Sequence, residues 1–381
     1  MSTSTPTANV QITASDVEVL LGKLAASASF LNSKSTGILS VNAQARRPGC
    51  ITYLVGLVSS GRKVRSLLMS PSASEVGDVT RNLQEHGFTT GFLTTAPSSF
   101  RHYADAALKL NLLIQQGELF ELTSRGRFLA TAIKPEWRQP YPLAPETKVF
   151  FLHSILASDY LGTAAILRSL LRDGMTSNDI KKDHQSQLEA VLQDVTRISS
   201  DTQLQRTARD RLLSLRGWKN PAAYCKHLVS AKLNWLADLG IVHLPSSSTI
   251  PLSVTEPHRP WLEKWIARVA PNDAHLLALL LSYAQIVVPT TAAASSETLH
   301  SALEAAFARL APASRLAKLR FTDFVLMLAC FHPQLVTQWI RNRETLFPES
   351  RFARGGATYT VQGAARSTQS YVLREEVALR Q

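Results

Sequence analysis

Apolar residues recur at helical spacing along most of the chain, and in two places such a helix leads directly into two short apolar strands. The first helix begins at Ser98 and ends at Asn111, and the second begins at Pro221 and ends at Gly240. Asn and Gly are the two residue types that most readily take the left-handed conformation in which helices end. Each pair of strands surrounds a polar turn. A helix that runs into a β-hairpin is the second half of a winged-helix module, so the pattern predicts two such modules.

The rest of the pattern predicts further helices and the boundaries between domains. The second module is preceded by a helix over 148–158, another from Asp159 to Arg172, and a third that begins at Ser177. The segment 51–58 is a buried strand or a buried helix, because a uniformly apolar run has no periodicity. Four tryptophans stand at helical spacing among apolar residues, which favours core packing: Trp235, Trp261, Trp265 and Trp339.

Proline clusters at 134–145 and 257–260 predict domain boundaries, since proline interrupts regular structure. The predicted fold is mainly α with small β-hairpins (α+β), built from tandem winged-helix domains. The predicted domains are an N-terminal tail and helix (1–33), a first winged-helix domain (34–145), a second winged-helix domain (146–258) and a helical C-terminal domain (259–381). In the last of these, possible strands at 351–361 and 367–374, around a turn at Gly355-Gly356, allow a third winged helix.

Charge changes this picture by suggesting a partner. The 381-residue chain has a net charge of +12, which favours a polyanion. No Asp or Glu occurs between Val19 and Ser74, whereas basic residues are frequent there. This stretch is therefore predicted to contact phosphates, and the alternative is a basic surface that serves solubility. The candidate phosphate-contacting residues are Arg46, Arg47, Arg62, Lys63 and Arg65.

Base contacts are expected near the start of each helix that precedes a hairpin, because that part of a helix-turn-helix derivative enters the major groove. The candidates in the first module are Ser98, Ser99, Arg101 and His102, and those in the second are Lys219, Asn220, Lys226 and His227. Arg suits guanine and Asn suits adenine. The alternative is that these polar side chains face water and that Ser, Thr or Asn only cap helices.

Catalytic chemistry has little support in the sequence. Glu136, Glu146 and Lys148 formally resemble the acidic pair and lysine of a metal-dependent nuclease, but they flank a proline-rich linker instead of lying on adjacent strands. The three cysteines, Cys50, Cys225 and Cys330, show no zinc or disulfide spacing. No phosphate-binding loop or nucleophile motif is found, and no cofactor or metal is expected.

The predicted location is the cytoplasm, without a membrane partner. The first ten residues lack the charged and apolar regions of a signal peptide. The most apolar run, 275–288, is shorter than the ~20 residues that a membrane span needs. An odd number of well-separated cysteines also suits a reducing compartment.

Both modules resemble the DNA-recognition region of type IIS restriction enzymes of the Fok kind. The first winged-helix unit of that family is similar to the runs SSFRHYA at 98–104 and LTSRG at 122–126. The second unit is similar to WKNPAAY at 218–224 and NWLADLGIV at 234–242. The resemblance covers residues 80–255 and is one of pattern more than of long identical strings.

In that family three winged-helix units recognise DNA and a separate C-terminal domain cuts it. The resemblance implies base contacts from the loop and helix start before each hairpin, at Thr94, Thr95, Ser98, Ser99, Arg101, Trp218, Lys219 and Asn220. Two departures shape the expectation. The chain stops where the cutting domain would begin, and Thr94-Thr95 stand where the family has an aromatic residue. We therefore expect DNA binding without cleavage by this chain, and sequence-blind binding is the alternative to specific readout.

These observations lead to three hypotheses. The first is a non-enzymatic protein of tandem winged helices that binds double-stranded DNA, as the recognition subunit of a restriction or antiviral defence assembly whose effector is a separate nuclease or ATPase chain. The second is a structural subunit that uses winged helices to bind other proteins. The third is a nuclease with an unrecognised site.

Overall fold

The computed structural model of the protein describes residues 12–21, 47–60, 81–82, 84–85, 97–199, 201–267, 269, 273–289, 299–310, 316–343, 351–354, 357–363 and 370–376. The helices are α1 (Ala14–Leu21), α2 (Pro48–Ser59), α3 (Pro97–Lys109), α4 (Ser124–Phe128), α5 (Pro145–Leu170), α6 (Ser177–Ile198), α7 (Thr202–Arg216), α8 (Pro221–Asp238), α9 (Arg259–Ala267), α10 (Asp273–Val287), α11 (Leu299–Leu310), α12 (Phe321–Phe331) and α13 (Pro333–Arg341). The strands are β1 (Leu113–Gln116), β2 (Leu119–Leu122), β3 (Val242–His243), β4 (Ser253–Val254), β5 (Leu316–Arg320), β6 (Arg351–Arg354), β7 (Ala357–Gly363) and β8 (Ser370–Glu376).

The protein is mostly helical with small antiparallel strand pairs, which confirms the predicted α+β class at that level. The chain forms two compact units, one of residues 31–271 and one that joins 1–30 to 272–381. Both predicted winged-helix segments lie in the unit of residues 31–271, and the predicted domain boundaries stay predictions.

The ambiguous apolar segment is helix α2. Every residue from Pro48 to Leu57 is buried, so all faces of the helix meet protein and no polar stripe marks it in the sequence. Gly56 lets the backbone of α2 lie directly against the Trp137 side chain, because a Cβ at position 56 would lie 2.2 Å from Cγ of Trp137. The four tryptophans assigned to core packing are buried, as predicted: Trp235, Trp261, Trp265 and Trp339.

Helix α5 is broken at Asp159. The sequence pattern predicted two helices here, one over 148–158 and one that begins at Asp159, and the break lies where they meet. The backbone of Asp159 has φ −156° and ψ 64°, which is far from helical. Its carboxylate Oδ1 accepts the Gly162 N–H at 2.9 Å, and the Thr163 hydroxyl donates to the Asp159 carbonyl at 2.7 Å. These bonds satisfy backbone groups that the break would otherwise leave unpaired.

The same aspartate forms a fully buried ion pair with Lys232 of α8. Gly162 makes room for it, because a Cβ at position 162 would lie 2.5 Å from Oδ1 of Asp159 and 2.8 Å from Nζ of Lys232. His184 of α6 is also fully buried, and the Lys232 charge acts on it. The pair therefore links α5 and α8 at the centre of the unit of residues 31–271.

The unit of residues 1–30 and 272–381 packs α1 against α10 and α13 and contains a four-stranded antiparallel sheet in the order β5-β8-β7-β6. Strands β6 and β7 pair around positions 355–356, where the sequence predicted a turn, and β7 pairs with β8. Strand β5, which pairs Leu319 with Val372 of β8, was not predicted.

Among the described residues, α5 is the one helix long and apolar enough to cross a membrane. The protein itself buries 94% of the most apolar stretch of α5. A core helix meets the same criterion, so α5 gives no indication of a membrane in either direction.

We expect the ion pair of Lys232 and Asp159 to be strongly coupled. Lys232→Met should lower the free energy of unfolding by about 3–5 kcal/mol, because it leaves a buried carboxylate without a counter-charge. Lys232→Met combined with Asp159→Asn should cost less than the sum of the single changes, since the asparagine oxygen can still accept the Gly162 N–H. Urea unfolding of the four proteins measures this, and additive losses would contradict the coupling.

The protein should lose stability in acid because burial holds three histidines neutral. Burial lowers the pKa of His184 to about 3, that of His258 to about 4 and that of His153 well below its usual value. As pH falls below about 6.5 the unfolded chain binds protons that the folded protein cannot, so stability present above that pH is lost. For His184 the loss at pH 5.5 should be about 1.4 kcal/mol.

Urea unfolding of His184→Leu at pH 7.5 and at pH 5.5 tests this contribution. The difference in unfolding free energy between the two pH values should shrink by that amount relative to the unmodified protein. Asp238 works in the opposite direction, because burial raises its pKa to about 6 and so its contribution to stability falls as pH rises towards 6. An unchanged pH dependence in the leucine variant would show that His184 can be protonated in the folded state.

Candidate nucleic-acid interface

The first module (α3, β1 and β2) begins with a helix that ends in left-handed backbone. Asn111 has φ 57°, and its N–H donates to the Leu108 carbonyl at 3.0 Å. The next N–H, from Leu112, reaches back to the Ala107 carbonyl at 2.8 Å. This pair of bonds is a Schellman motif, which satisfies the last carbonyls of the helix and turns the chain into β1.

The second module (α8, β3 and β4) ends its helix in the same way. Gly240 has φ 78°, and its N–H donates to the Ala237 carbonyl at 2.8 Å. The Ile241 N–H donates to the Leu236 carbonyl at 2.9 Å. Asn111 and Gly240 therefore hold equivalent positions, which confirms the prediction that both residues end helices in left-handed backbone.

A threonine closes the base of each hairpin by the same two bonds. The Thr123 hydroxyl donates to the Asn111 carbonyl at 2.6 Å, and the Thr255 hydroxyl donates to the Gly240 carbonyl at 2.5 Å. The N–H of each threonine donates to the carbonyl of the following position, Leu112 at 3.1 Å and Ile241 at 2.9 Å. The two modules thus share their hydrogen bonding at both ends of the hairpin, although the second loop is longer.

Each threonine also begins the next helical segment. Thr123 caps α4 by accepting the Gly126 N–H at 3.1 Å, and the Thr255 carbonyl accepts the His258 N–H at 2.9 Å in a short 3₁₀ turn before α9. A Cβ at Gly126 would lie 2.0 Å from the Leu112 carbonyl oxygen, so only glycine lets α4 approach the first hairpin this closely.

The two hairpins differ in charge. The first has exposed Glu118 in its turn and exposed Glu121 in β2, both of which would repel phosphate. Residues 242–255 of the second contain no Asp or Glu, and His243 is their one ionisable side chain. The second module is therefore the better candidate for contact with a polyanion.

Five of the predicted DNA-binding residues lie in the first turns of α8 or just before them. Lys219, Lys226 and His227 are exposed, whereas Trp218 is half-buried. The following turns of α8 pack into the core through Leu228 and the residues beyond it. The first two turns of the helix therefore project a basic surface into solvent, while its remaining turns anchor it.

Asn220 has a structural role at this helix end. Its side-chain oxygen accepts the Ala223 N–H at 3.2 Å, which makes Asn220 the N-cap of α8. A two-bond pair with adenine needs both the oxygen and the amide nitrogen of asparagine. The predicted adenine contact would therefore require the side chain to give up the cap, and the alternative stated from the sequence, a capping residue, describes this structure.

Beside it lies an aromatic pair that the sequence reasoning did not identify. The rings of Trp218 and Tyr224 have centroids 5.2 Å apart and an interplanar angle of 38°. Tyr224 is 50% exposed. Its position one turn after the cap, with Lys219 and Lys226 close by in the chain, surrounds an aromatic surface with positive charge.

Helix α7 adds an exposed arginine face, formed by Arg206, Arg209 and Arg216, which lies beside and away from its buried residues Ala208 and Leu215. Arg216 lies 3.6 Å from Glu189, and no ion pair to Arg206 or Arg209 is found among the described residues. The sequence analysis did not assign these arginines to the site. Their common face could have been found from their spacing of three and seven residues.

Arg47, a predicted phosphate contact, is paired within the protein. Its guanidinium bonds the Asp238 carboxylate, and the Tyr141 hydroxyl donates to the same carboxylate at 2.7 Å. Burial raises the Asp238 pKa to about 6 even though Arg47 opposes the shift. An open cavity of about 390 Å³ borders this group and also meets Lys148 and His243. A phosphate at Arg47 would compete with Asp238.

The remaining predicted residues are described only in part. His102 is half-buried in α3. Ser98, Ser99 and Arg101 lie in α3, but their side chains fall outside the described part of the structure. Residues outside the described ranges altogether are Arg46, Arg62, Lys63, Arg65, Thr94 and Thr95. The contacts expected of all of them stay predictions.

The described residues offer little for metal binding or thiol chemistry. Within the ranges that the structure describes, no group of three or more His, Cys, Asp or Glu side chains could hold a metal ion. The cysteines Cys50, Cys225 and Cys330 are buried and unbridged. Glu146 opens α5 and Glu136 lies in the preceding linker, as the sequence reasoning supposed.

Comparison of the chain with models of known protein families, with curated proteins and with solved structures finds no match. The site is therefore defined here by its own geometry: an anchored helix whose first two turns are exposed and basic, an aromatic pair at its start and an arginine face on the preceding helix.

Two substitutions separate the capping role of Asn220 from base readout. Asn220→Ala should lower the free energy of unfolding by about 1 kcal/mol through loss of the cap, whereas Asn220→Ser should leave it nearly unchanged because serine also caps. Thermal or urea unfolding measures this difference. If Asn220→Ser is as unstable as Asn220→Ala, the cap is not what Asn220 contributes.

Proposed function

We propose that this protein binds double-stranded DNA through its second module, with the exposed start of α8 at the major groove. The observation that carries the proposal is the charge of this surface. Between positions 199 and 227 the chain has six Lys and Arg but two Asp and Glu, and most of the basic side chains are exposed. The N-terminal end of a helix also carries a positive dipole, which favours phosphate.

The arrangement of elements supports a winged-helix interpretation of this proposal. In both modules a helix with a left-handed end leads into a hairpin that a threonine closes. In the terminal unit, α11, β5, α12 and α13 precede a hairpin, and β5 pairs with the last strand, β8. That is the order of a winged helix with one additional strand, β6. On this interpretation the chain contains three winged helices.

The role we propose is that of a recognition subunit in a restriction or defence assembly, with the cutting or ATP-consuming activity on a separate effector chain. Support for this role comes from the similarity of pattern to the DNA-recognition region of type IIS restriction enzymes of the Fok kind. The hairpin of the first module has two acidic residues and that of the second has none, so we infer that the two modules contribute unequally to DNA binding. The second module supplies most of the affinity, and the first, whose hairpin has Glu118 and Glu121, contributes less to it.

Salt dependence tests the proposal. Lys219→Ala combined with Lys226→Ala should weaken retardation of duplex DNA in a gel. It should also reduce the slope of log affinity against log salt by about 1.8, because each lost phosphate contact contributes about 0.9. Arg197→Ala is the matched control, since the Arg197 side chain is 75% exposed but is paired with Asp194. Its slope should equal that of the unmodified protein.

Two results would count against DNA binding by this surface. Absence of any retardation at low salt would reject DNA as the partner, and a stable complex with another protein would then favour a scaffold subunit. Retardation with an unchanged slope in the double lysine variant would assign DNA binding to another part of the chain, such as the basic stretch that includes Arg62, Lys63 and Arg65.

A further inference from the structure

We infer that the DNA bound by this surface contains an unpaired base, which stacks on the Trp218–Tyr224 pair while the arginine face of α7 contacts the phosphates of the same strand. The inference rests on the proposed function and names the class of DNA that the site prefers. It depends on two features: an aromatic pair of exposed Tyr224 and half-buried Trp218, and a row of exposed arginines on α7.

Within the described ranges, Tyr224 of this pair is more exposed than the tryptophans of the core. Trp235, Trp261 and Trp265 are 1%, 8% and 7% exposed, so they serve the core. Tyr224 is instead 50% exposed and packs only partly, against half-buried Trp218. Exposed Trp and Tyr side chains supply binding energy at many interfaces, since each offers a rigid apolar face at a small cost in conformational entropy.

An exposed aromatic ring binds a partner that also has a free, flat π-face. Bases within an intact duplex are already stacked on their neighbours, so an aromatic side chain cannot reach their faces. Only an unpaired base in a bulge, a distorted segment or a single strand offers a free π-face. Stacking of this kind tolerates any base, which fits a site whose candidate adenine reader, Asn220, is engaged as a helix cap.

The positive charge of α7 complements the phosphate backbone of the DNA strand that carries the unpaired base. Arg206, Arg209 and Arg216 share one face of α7, which spans about 15 Å between the first and last of them. Leu213 lies on the same face, is 68% exposed and precedes Trp218 by five residues. A basic track that leads to stacked aromatics is the general design of sites for unpaired nucleic acid.

The two parts of the surface belong to helices that are close in the chain and share a packing partner. Helices α7 and α8 both pack against α6, and four residues connect them. Arg216, at the end of the arginine face, is separated from Trp218 by Gly217 alone.

Three DNAs of one sequence test the inference: a fully paired duplex, the same duplex with a single unpaired adenine, and the single strand alone. We expect the protein to bind the bulged duplex and the single strand about 5- to 150-fold more tightly than the paired duplex, which is the range that one stacked base contributes. Trp218 fluorescence, excited at a wavelength that tyrosine does not absorb, should be quenched only by the two DNAs with an unpaired base.

Variants at exposed positions identify the residues responsible. Tyr224→Leu and Trp218→Leu should weaken binding to the two DNAs with an unpaired base much more than binding to the paired duplex, because leucine keeps an apolar contact but has no ring. Trp218→Phe should keep the preference and lose the quenching, since phenylalanine still stacks and the other five tryptophans do not report on the site. Arg197→Ala again serves as a control with no expected effect.

Each possible failure has a distinct meaning. Equal affinity for the paired and bulged duplexes, or an equal loss on both in Tyr224→Leu, would overturn the inference and leave duplex binding by the second module intact. Retention of the preference in both leucine variants would also overturn it, by placing the unpaired base elsewhere. Absence of binding to all three DNAs at low salt would overturn the proposed function together with the inference.

Discussion

The buried ion pair of Lys232 and Asp159 determines where α8 lies. A lysine and an aspartate can both remain charged without water only if they stay together, so the middle of α8 is fixed against the break in α5. Glycine at position 162 is the corresponding steric requirement, since any side chain there would meet the pair. This contact anchors the helix from its middle, and in the first two turns Cys225 is buried while Tyr224, Lys226 and His227 project into solvent.

A second polar group holds the C-terminal end of the same helix. Asp238 lies in the last turn of α8, where a negative charge opposes the helix dipole. Arg47 and Tyr141 stabilise that charge from outside the helix, and Tyr141 also accepts the Gly49 N–H at 3.2 Å. These bonds tie α2 and the proline-rich linker to α8. The helix is thus restrained at its middle and at one end, while the other end is free for a ligand.

Much of the fold could be predicted from local signals in the sequence. The pairing of residues far apart in the chain could not be predicted. The helix ends at Asn111 and Gly240 and the break at Asp159 follow from residue types and short spacing, which the chain carries within a few positions. The partners of Arg47 and Lys232 lie 191 and 73 residues away, and periodicity gives the face of a helix but not what covers it. Asn220 shows the same limit at the site, because capping and base readout require the same residue at the same place.

The bond that closes the base of each hairpin fixes the positions of the flanking helices. These positions therefore do not depend on the length of the hairpin loop. Thr123 and Asn111 are 12 residues apart, and Thr255 and Gly240 are 15 apart, yet the bonds that join them are the same. Insertions or deletions in the loop can therefore change its reach and charge without disturbing the chain on either side. The loop of each hairpin can therefore vary independently of the core. A protein of this design can acquire a new binding preference through changes in one loop while the sequence of its core stays the same.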